Sequence, residues 1–327
     1  MRRHGFSGAT VRALRRAVRL ALRPWTKPRT HGFAFHYDRV LGTSFELQLV
    51  AKHAEAAHRA EHVVLAEVDR LEKSLSGWAD TSELSCWQQT RGVEAPVSPE
   101  LAEVLELGED WRIWTAGAFN PAAVSFGDLL HVSDVSDRLD AMRQPLWTVD
   151  RERGVACRLT LLPVSLDALA KGYIVDRVAA CACAVEGVTQ VLVNIGGDLR
   201  HLGDRAISAS VTDPRAPAEN AAPIATVRLC DEALATSGGY RRGHMVAGRA
   251  VSHILDPRTG RPAAEVISAS VIAPDCATAD ALSTAFSVLT PAESVALADS
   301  LRGVGCMMVE QDGTITTNDT WLAHAAT

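Results

Sequence analysis

The sequence predicts an α+β fold with a largely antiparallel sheet flanked by helices. Three observations carry that expectation. From residue 190 onward, strand-like stretches follow one another with no helix between them: QVLVNI, AISASVT, IATVRL, HMVAGRAVSHIL and VISASVIA. That order suits hairpins, not parallel crossovers. Long segments with apolar residues at helical spacing stand on either side of this block. The paired glycines at the end of VLVNIGGDL do not form a G-x-G-x-x-G pattern, so a doubly wound nucleotide-binding fold finds no support.

Taken in order, SFELQLVA (44–51) alternates like a half-buried strand. The next segment, 54–76, places Val64, Val68, Leu71 and Leu75 on one helical face with charges between them. Residues 98–116 form a second helix, with Ser98 as N-cap and Glu100 and Glu103 in the first turns. AFNPAAVSFGDLLH (118–131) reads as a loop and 133–163 as irregular. A helix over most of 165–186 precedes the strands. After them come a helix carrying Asp280, another from Pro291, and a closing hairpin that turns at Asp312-Gly313. Residues 31–327 are expected to form one domain, and residues 1–30 a disordered basic arm.

Composition narrows the function classes. The chain has 327 residues, 47% hydrophobic and 22% charged, with no run of about 18 apolar residues. Its net charge is −6, yet residues 1–30 hold nine Lys and Arg and no acid. The remainder is therefore strongly acidic, which argues against a nucleic-acid surface. The leader VRALRRAVRLALRPW is interrupted by Arg throughout and fails the apolar-run test for a secretory signal. It leaves peripheral membrane association open, and with it the choice between export to the periplasm and a cytoplasmic site. Seven cysteines without a C-x-x-C pair suggest neither a disulfide scaffold nor a zinc site.

Four stretches can carry chemistry. In LDALAKGYIVD, Lys171 lies early in a helix, where a cation beside free amides suits a phosphate; a snorkelling surface lysine has the same spacing. Gly196-Gly197 ends an apolar strand and permits close backbone approach, or is a plain turn. In SHILDPRTGRP, His253 ends a strand beside a turn from Asp256-Pro257 to Gly260; it is a general base or a structural histidine. In DCATADALSTAF, Asp280 and Thr284 stand four apart on one helix face. They are a solvated stripe or two oxygen ligands for a hard cation such as Mg²⁺, which takes few carboxylates.

Taken in order, VLGTSFEL, LSGWADTSELS, TAGAFNP, LAKGYIVD, VNIGGDL, ATSGGY, HILDPRTGRP and TADALSTA resemble the FAD:protein FMN transferase (ApbE) family over about residues 35–310. The resemblance implies an ApbE-like, T-fold-related architecture. It also implies transfer of FMN from FAD to a Thr or Ser hydroxyl of an acceptor flavoprotein, with release of AMP and support from Mg²⁺. Asp280 and Thr284 match the family's metal ligands. Ala168 matches a position that ligates through its backbone oxygen, and Ser283 lies beside them. Lys171 matches the residue that reaches the FAD phosphates. Leu41, Trp78, Ala118, Phe119, Asn120, Ser165 and Leu255 match FAD-lining positions, and the polar surroundings of Trp78 predict exposure. His253 is the histidine expected to activate the acceptor hydroxyl. The chain departs from the family where Asn120 and Ser165 replace Asp, Ala122 replaces Thr, Gln88 replaces Asn, and DALAKG (167–172) stands in place of a glycine-rich stretch after Ser165. FSGAT (6–10) resembles the SGAT core of the acceptor motif, with Thr10 as target and His4 where an Asp usually stands. Two other readings remain: an FAD pyrophosphatase giving FMN and AMP, and a non-catalytic flavin-binding protein.

Overall fold

The computed structural model describes residues 30–126, 135–216, 221–238, 244–246, 249–251, 255–263 and 265–326. The chain opens with strands β1 (His31–Val40) and β2 (Thr43–Ala51), helices α1 (Ala54–Leu75) and α2 (Glu83–Gln88), and strand β3 (Glu94–Pro96). Helix α3 (Pro99–Trp114), a 3₁₀ segment (Pro121–Phe126) and helix α4 (Val135–Arg143) follow, then strands β4 (Trp147–Asp150) and β5 (Val155–Arg158). Helix α5 (Asp167–Cys183) leads into strands β6 (Val188–Ile195), β7 (Asp198–Leu202), β8 (Ile207–Val211), β9 (Ala225–Leu229) and β10 (Ala233–Gly238). Short strands β11 (His244–Val246), β12 (Arg249–Val251), β13 (Leu255–Asp256) and β14 (Arg261–Pro262) precede β15 (Val266–Ala273). Helices α6 (Cys276–Phe286) and α7 (Pro291–Ser300), strands β16 (Gly305–Glu310) and β17 (Ile315–Thr317), and helix α8 (Asp319–His324) complete it.

The fold is α+β, as the strand order predicts. Eight strands form one sheet in the order β1-β2-β6-β7-β10-β15-β16-β17, and every neighbouring pair is antiparallel. Its two faces follow from period-two alternation. Ala233, Ala235, Val271, Ala273, Cys306 and Met308 face the main core, in which α1, α5 and α6 are buried. Leu234, Ile272, Met307 and Val309 face the other way, under the β8–β9 hairpin and Trp321 of α8. Helix α5 packs on α1, α6, β6 and β7, which places it at the centre of the helical layer. No helix among the described residues is long and apolar enough to cross a membrane.

Most of the expected elements form. Val64, Val68, Leu71 and Leu75 are buried along α1, and the Ser98 hydroxyl accepts the Leu101 amide at 3.2 Å as the N-cap of α3. The segment 133–163 is a correction, because α4, β4 and β5 form within it. These elements are too short to show a period, and tertiary contacts organise them. The indole N–H of buried Trp147 donates to the Leu105 carbonyl of α3 at 2.9 Å, and that of Trp87 to Ala156 of β5 at 3.3 Å. The loop read over 118–131 also contains the 3₁₀ segment, where Asn120 Oδ1 accepts the Ala122 amide at 2.9 Å.

Candidate functional site at the α5–α6 junction

Helices α5 and α6 run antiparallel and touch through backbone. A Cβ added at Gly172 would overlap the Cys276 carbonyl and lie 2.9 Å from the Ala277 Cα. This close approach lets the Gly172 amide donate to Asp280 Oδ2 at 3.1 Å. In a regular helix that amide faces the carbonyl of residue 168. The Asp280 carboxylate therefore lies beside the Ala168 carbonyl.

The contact also sets the register of the pair. Stepping one turn along each helix from Gly172 and Asp280 brings Ala168 level with Thr284. Asp280 is 4% exposed, which removes the reading of a solvated stripe. The apolar side of the helix, through Leu282 and Phe286, is fully buried. Thr284 and Ser283 are held from strand β10: Ser237 Oγ lies 2.8 Å from Ser283 Oγ and 3.4 Å from Thr284 Oγ1. The Ser283 hydroxyl also donates to the Asp280 carbonyl at 3.0 Å.

Lys171 is no snorkelling surface residue. Its ammonium pairs with Asp198 at the start of β7 and lies 3.5 Å from Asp280 Oδ2, with its side chain 29% exposed. Burial pushes the Asp280 carboxyl upward from its ordinary pKa, while the Lys171 charge and the Gly172 amide pull the other way. The junction thus holds two buried carboxylates against one partly exposed cation.

Two turns border it. Val40 pairs with Thr43, so Leu41-Gly42 is a two-residue hairpin loop. Their φ values of +50° and +76° are those of a type I′ turn, unusual for a leucine. Gly196, at φ +62°, packs on Thr43, where a Cβ would meet the threonine methyl at 2.8 Å. Its amide donates to the Ser44 carbonyl at 3.0 Å. The β1–β2 and β6–β7 tips therefore sit together beside Asp198.

The remaining expected positions form a separate wall. Trp78 is 83% exposed, as its context predicts, on the loop between α1 and α2. That loop abuts the start of α5, since a Cβ at Gly77 would lie 3.5 Å from Asp167 Oδ1. Ala118 and Phe119 are buried. Asn120 is nearly so, and its Nδ2 donates to the Met142 carbonyl at 3.3 Å. Ser165 accepts the Asp167 amide at 3.1 Å, supplying a cap for α5 in place of Leu166. Leu255 is half-buried against the core. A cavity of about 330 Å³ opens between Asn120, Met142, Arg112, Arg143 and Arg258. His253 and Thr10 lie outside the described residues.

Residues 41–308 match the ApbE family. This chain belongs to that family. It is 30% identical over 308 residues to the FAD:protein FMN transferase of Treponema pallidum, covering 84% of each chain. It is 24% identical over 297 residues to the Escherichia coli K12 protein of the same name, covering 84% of this chain and 83% of that one. The crystal structure of the ApbE protein from Thermotoga maritima superposes with a TM-score of 0.78 at 25% identity, over 91% of this chain and all of that one. The flavinyl transferase ApbE of Pseudomonas stutzeri shares the fold, with a TM-score of 0.74 at 24% identity, over 90% of this chain and 96% of that one.

Two polar residues of this ApbE-family chain, Asp198 and Asp176, escaped sequence reasoning, and a third, Ser237, was noted only for its place before the glycines of ATSGGY. Asp198 stands in VNIGGDL, where the glycines drew attention and the carboxylate did not. Asp176 ends LAKGYIVD, and its carboxylate accepts the first amides of α6. Only the quoted motifs signalled them, because each partner is distant in sequence.

Proposed function

We propose that this ApbE-family transferase moves the FMN half of FAD to a Thr or Ser hydroxyl of an acceptor flavoprotein, releases AMP, and uses Mg²⁺. The observation that carries the reading is the meeting of Lys171 and the Gly172 amide of α5 with Asp280 of α6; Thr284 lies one turn along α6 and Ala168 one turn back along α5. The donor set fits Mg²⁺: it offers one buried carboxylate, a hydroxyl and a carbonyl, all oxygen. The neighbouring Cys276 thiol is pushed well up by burial and stays protonated, which makes it a poor ligand. Among the described residues no group of three or more His, Cys, Asp or Glu gathers, so a zinc-type cage has no counterpart there. Asp280, Thr284 and Ala168 would hold the ion, with Ser283 bracing Thr284 through Ser237. When bound, Mg²⁺ neutralises charge on the diphosphate.

The chain's own groups do the rest. Lys171, anchored by Asp198, brings its ammonium to the diphosphate. Trp78 offers an exposed ring for stacking on FAD. The acceptor hydroxyl oxygen bonds to the FMN phosphorus, and the bond from that phosphorus to the bridging oxygen breaks. AMP leaves with the electron pair, and the hydroxyl proton passes to His253. The Lys171 ammonium at the diphosphate stabilises the negative charge that develops on the departing AMP oxygen.

The test is incubation with FAD, Mg²⁺ and a peptide bearing a D-x-x-S-G-A-T core. AMP release with a peptide mass gain of one FMN is expected. AMP with an unmodified peptide indicates a pyrophosphatase instead. Bound flavin without AMP indicates a binding protein. His253→Ala is expected to slow transfer about 10²-fold or more while FAD affinity stays within about twofold. Equal losses in both would argue against the base role.

A further inference from the structure

We infer that Asp176 is a positioning residue that sets the register of the metal-binding helix. The inference rests on the metal reading above. Asp176 lies one turn beyond Gly172 on α5, and Cys276 one turn before Asp280 on α6. Asp176 Oδ1 accepts the Cys276 amide at 2.8 Å, and Oδ2 accepts the Cys276 and Ala277 amides at 2.9 Å. Asp275 takes the next amide, of Thr278, at 2.7 Å. The first three amides of α6 are thus all held by carboxylates, and none is left for a phosphate.

These contacts form a ladder. Two rungs are hydrogen-bonded, 176 with 276 and 172 with 280, one turn apart on both antiparallel helices, and the same step leads to 168 and 284. A single hydrogen bond at Gly172 leaves α6 free to swivel and slide about that point. A second rung, about 6 Å along the axis, removes both freedoms. The third rung, Ala168 with Thr284, then follows from the first two, and it is where the metal ligands face one another. Arg200 on β7 steadies the outer rung, with Nε 3.4 Å from Asp176 Oδ1 and a side chain only 13% exposed. Strand β7 therefore secures α5 twice, through Asp198 to Lys171 and through Arg200 to Asp176. Asp176 is one rung from Asp280 and two from Ala168 and Thr284, so its part is geometric.

The test titrates Mn²⁺ into the full chain and reads the free ion by electron paramagnetic resonance. Asp176→Ala is expected to weaken Mn²⁺ binding about 10- to 100-fold, the range for supports of metal ligands. Asp176→Asn keeps an acceptor oxygen and is expected to recover most of that loss. In AMP release, Asp176→Ala should raise the Mg²⁺ concentration needed and keep kcat at saturating Mg²⁺. A loss of folded protein would lower kcat at every Mg²⁺ concentration. Wild-type Mn²⁺ affinity in Asp176→Ala overturns the inference. If that variant does not fold, Arg200→Gln is read in its place, with about threefold weakening expected and unchanged affinity again overturning it. If Asp280→Ala binds Mn²⁺ like the wild type, the metal reading fails and the inference with it.

Discussion

The two sides of the candidate site are built differently. At the α5–α6 junction, buried charges and hydroxyls from α5, α6, β7 and β10 hold one another: Lys171, Asp198, Asp280, Ser237, Ser283 and Thr284. On the Trp78 side, the ring is exposed, Ser165 caps the start of α5, and Asn120 caps the 3₁₀ segment and reaches the Met142 carbonyl of α4. Four of the departures from the family pattern (Gln88, Asn120, Ala122 and Ser165) fall on segments of the second side; the fifth, DALAKG (167–172), spans Ala168 and Lys171 at the junction itself, where the ligand expected from Ala168 is a backbone oxygen that any residue supplies. A side chain engaged by partners on several elements leaves little room for change. One that caps its own turn can be replaced by another capping residue. On the proposed function, the junction would define the chemistry and the wall would adjust the fit to FAD.

That contrast predicts unequal costs. Asp280→Ala removes the full negative charge among the metal-site oxygens and should lower AMP release on the order of 10³-fold or more. The fold should survive, since Lys171 keeps Asp198; near-normal turnover would break the contrast. Lys171→Met leaves two buried carboxylates without their cation. It should cost about 2–4 kcal/mol in urea unfolding, the lower end being favoured by its partial exposure.

Asp176 gives a pH-dependent effect. Burial pushes its carboxyl up to about 6, against the pull of the Cys276 and Ala277 amides. Its unfolded value is about 3.9. Folding favours the protonated form, so this contribution is full below pH 4 and is lost as pH rises through 6. Asp176→Asn cannot ionise. Relative to wild type it should gain stability between pH 4 and 7, on the order of 2 kcal/mol by thermal melts. Parallel curves would count against it. The smallest effect belongs to the wall. Trp78→Ala should raise the KM for FAD about fivefold to tenfold and leave the melting temperature unchanged, because the ring is exposed. A large drop in stability would show that the wall, too, is structural.

Much of this was legible in the sequence. The spacing of Asp280 and Thr284 put them on one face, and the polar context of Trp78 indicated exposure. The strand order indicated an antiparallel sheet. What spacing does not show is which distant residue answers a charge. Lys171 meets Asp198 across a helix and a strand, and Gly172 meets Asp280 across more than a hundred residues. Periodicity speaks only of a residue's own element, so Asp280 looked as suited to water as to metal until α5 was placed against it. The same limit explains β4 and β5, tied to α3 and α2 through Trp147 and Trp87, and α4, whose Met142 carbonyl accepts from Asn120 and Arg112.

Gly172 has a consequence beyond letting two helices touch. The separation of Lys171 and the Ala168 carbonyl from Asp280 and Thr284 is gauged there by a single hydrogen atom. Any larger group at that position acts as a wedge, opening the junction without altering one polar atom. The site's width is therefore written in what residue 172 lacks, and a census of charged or hydrogen-bonding residues would pass over it.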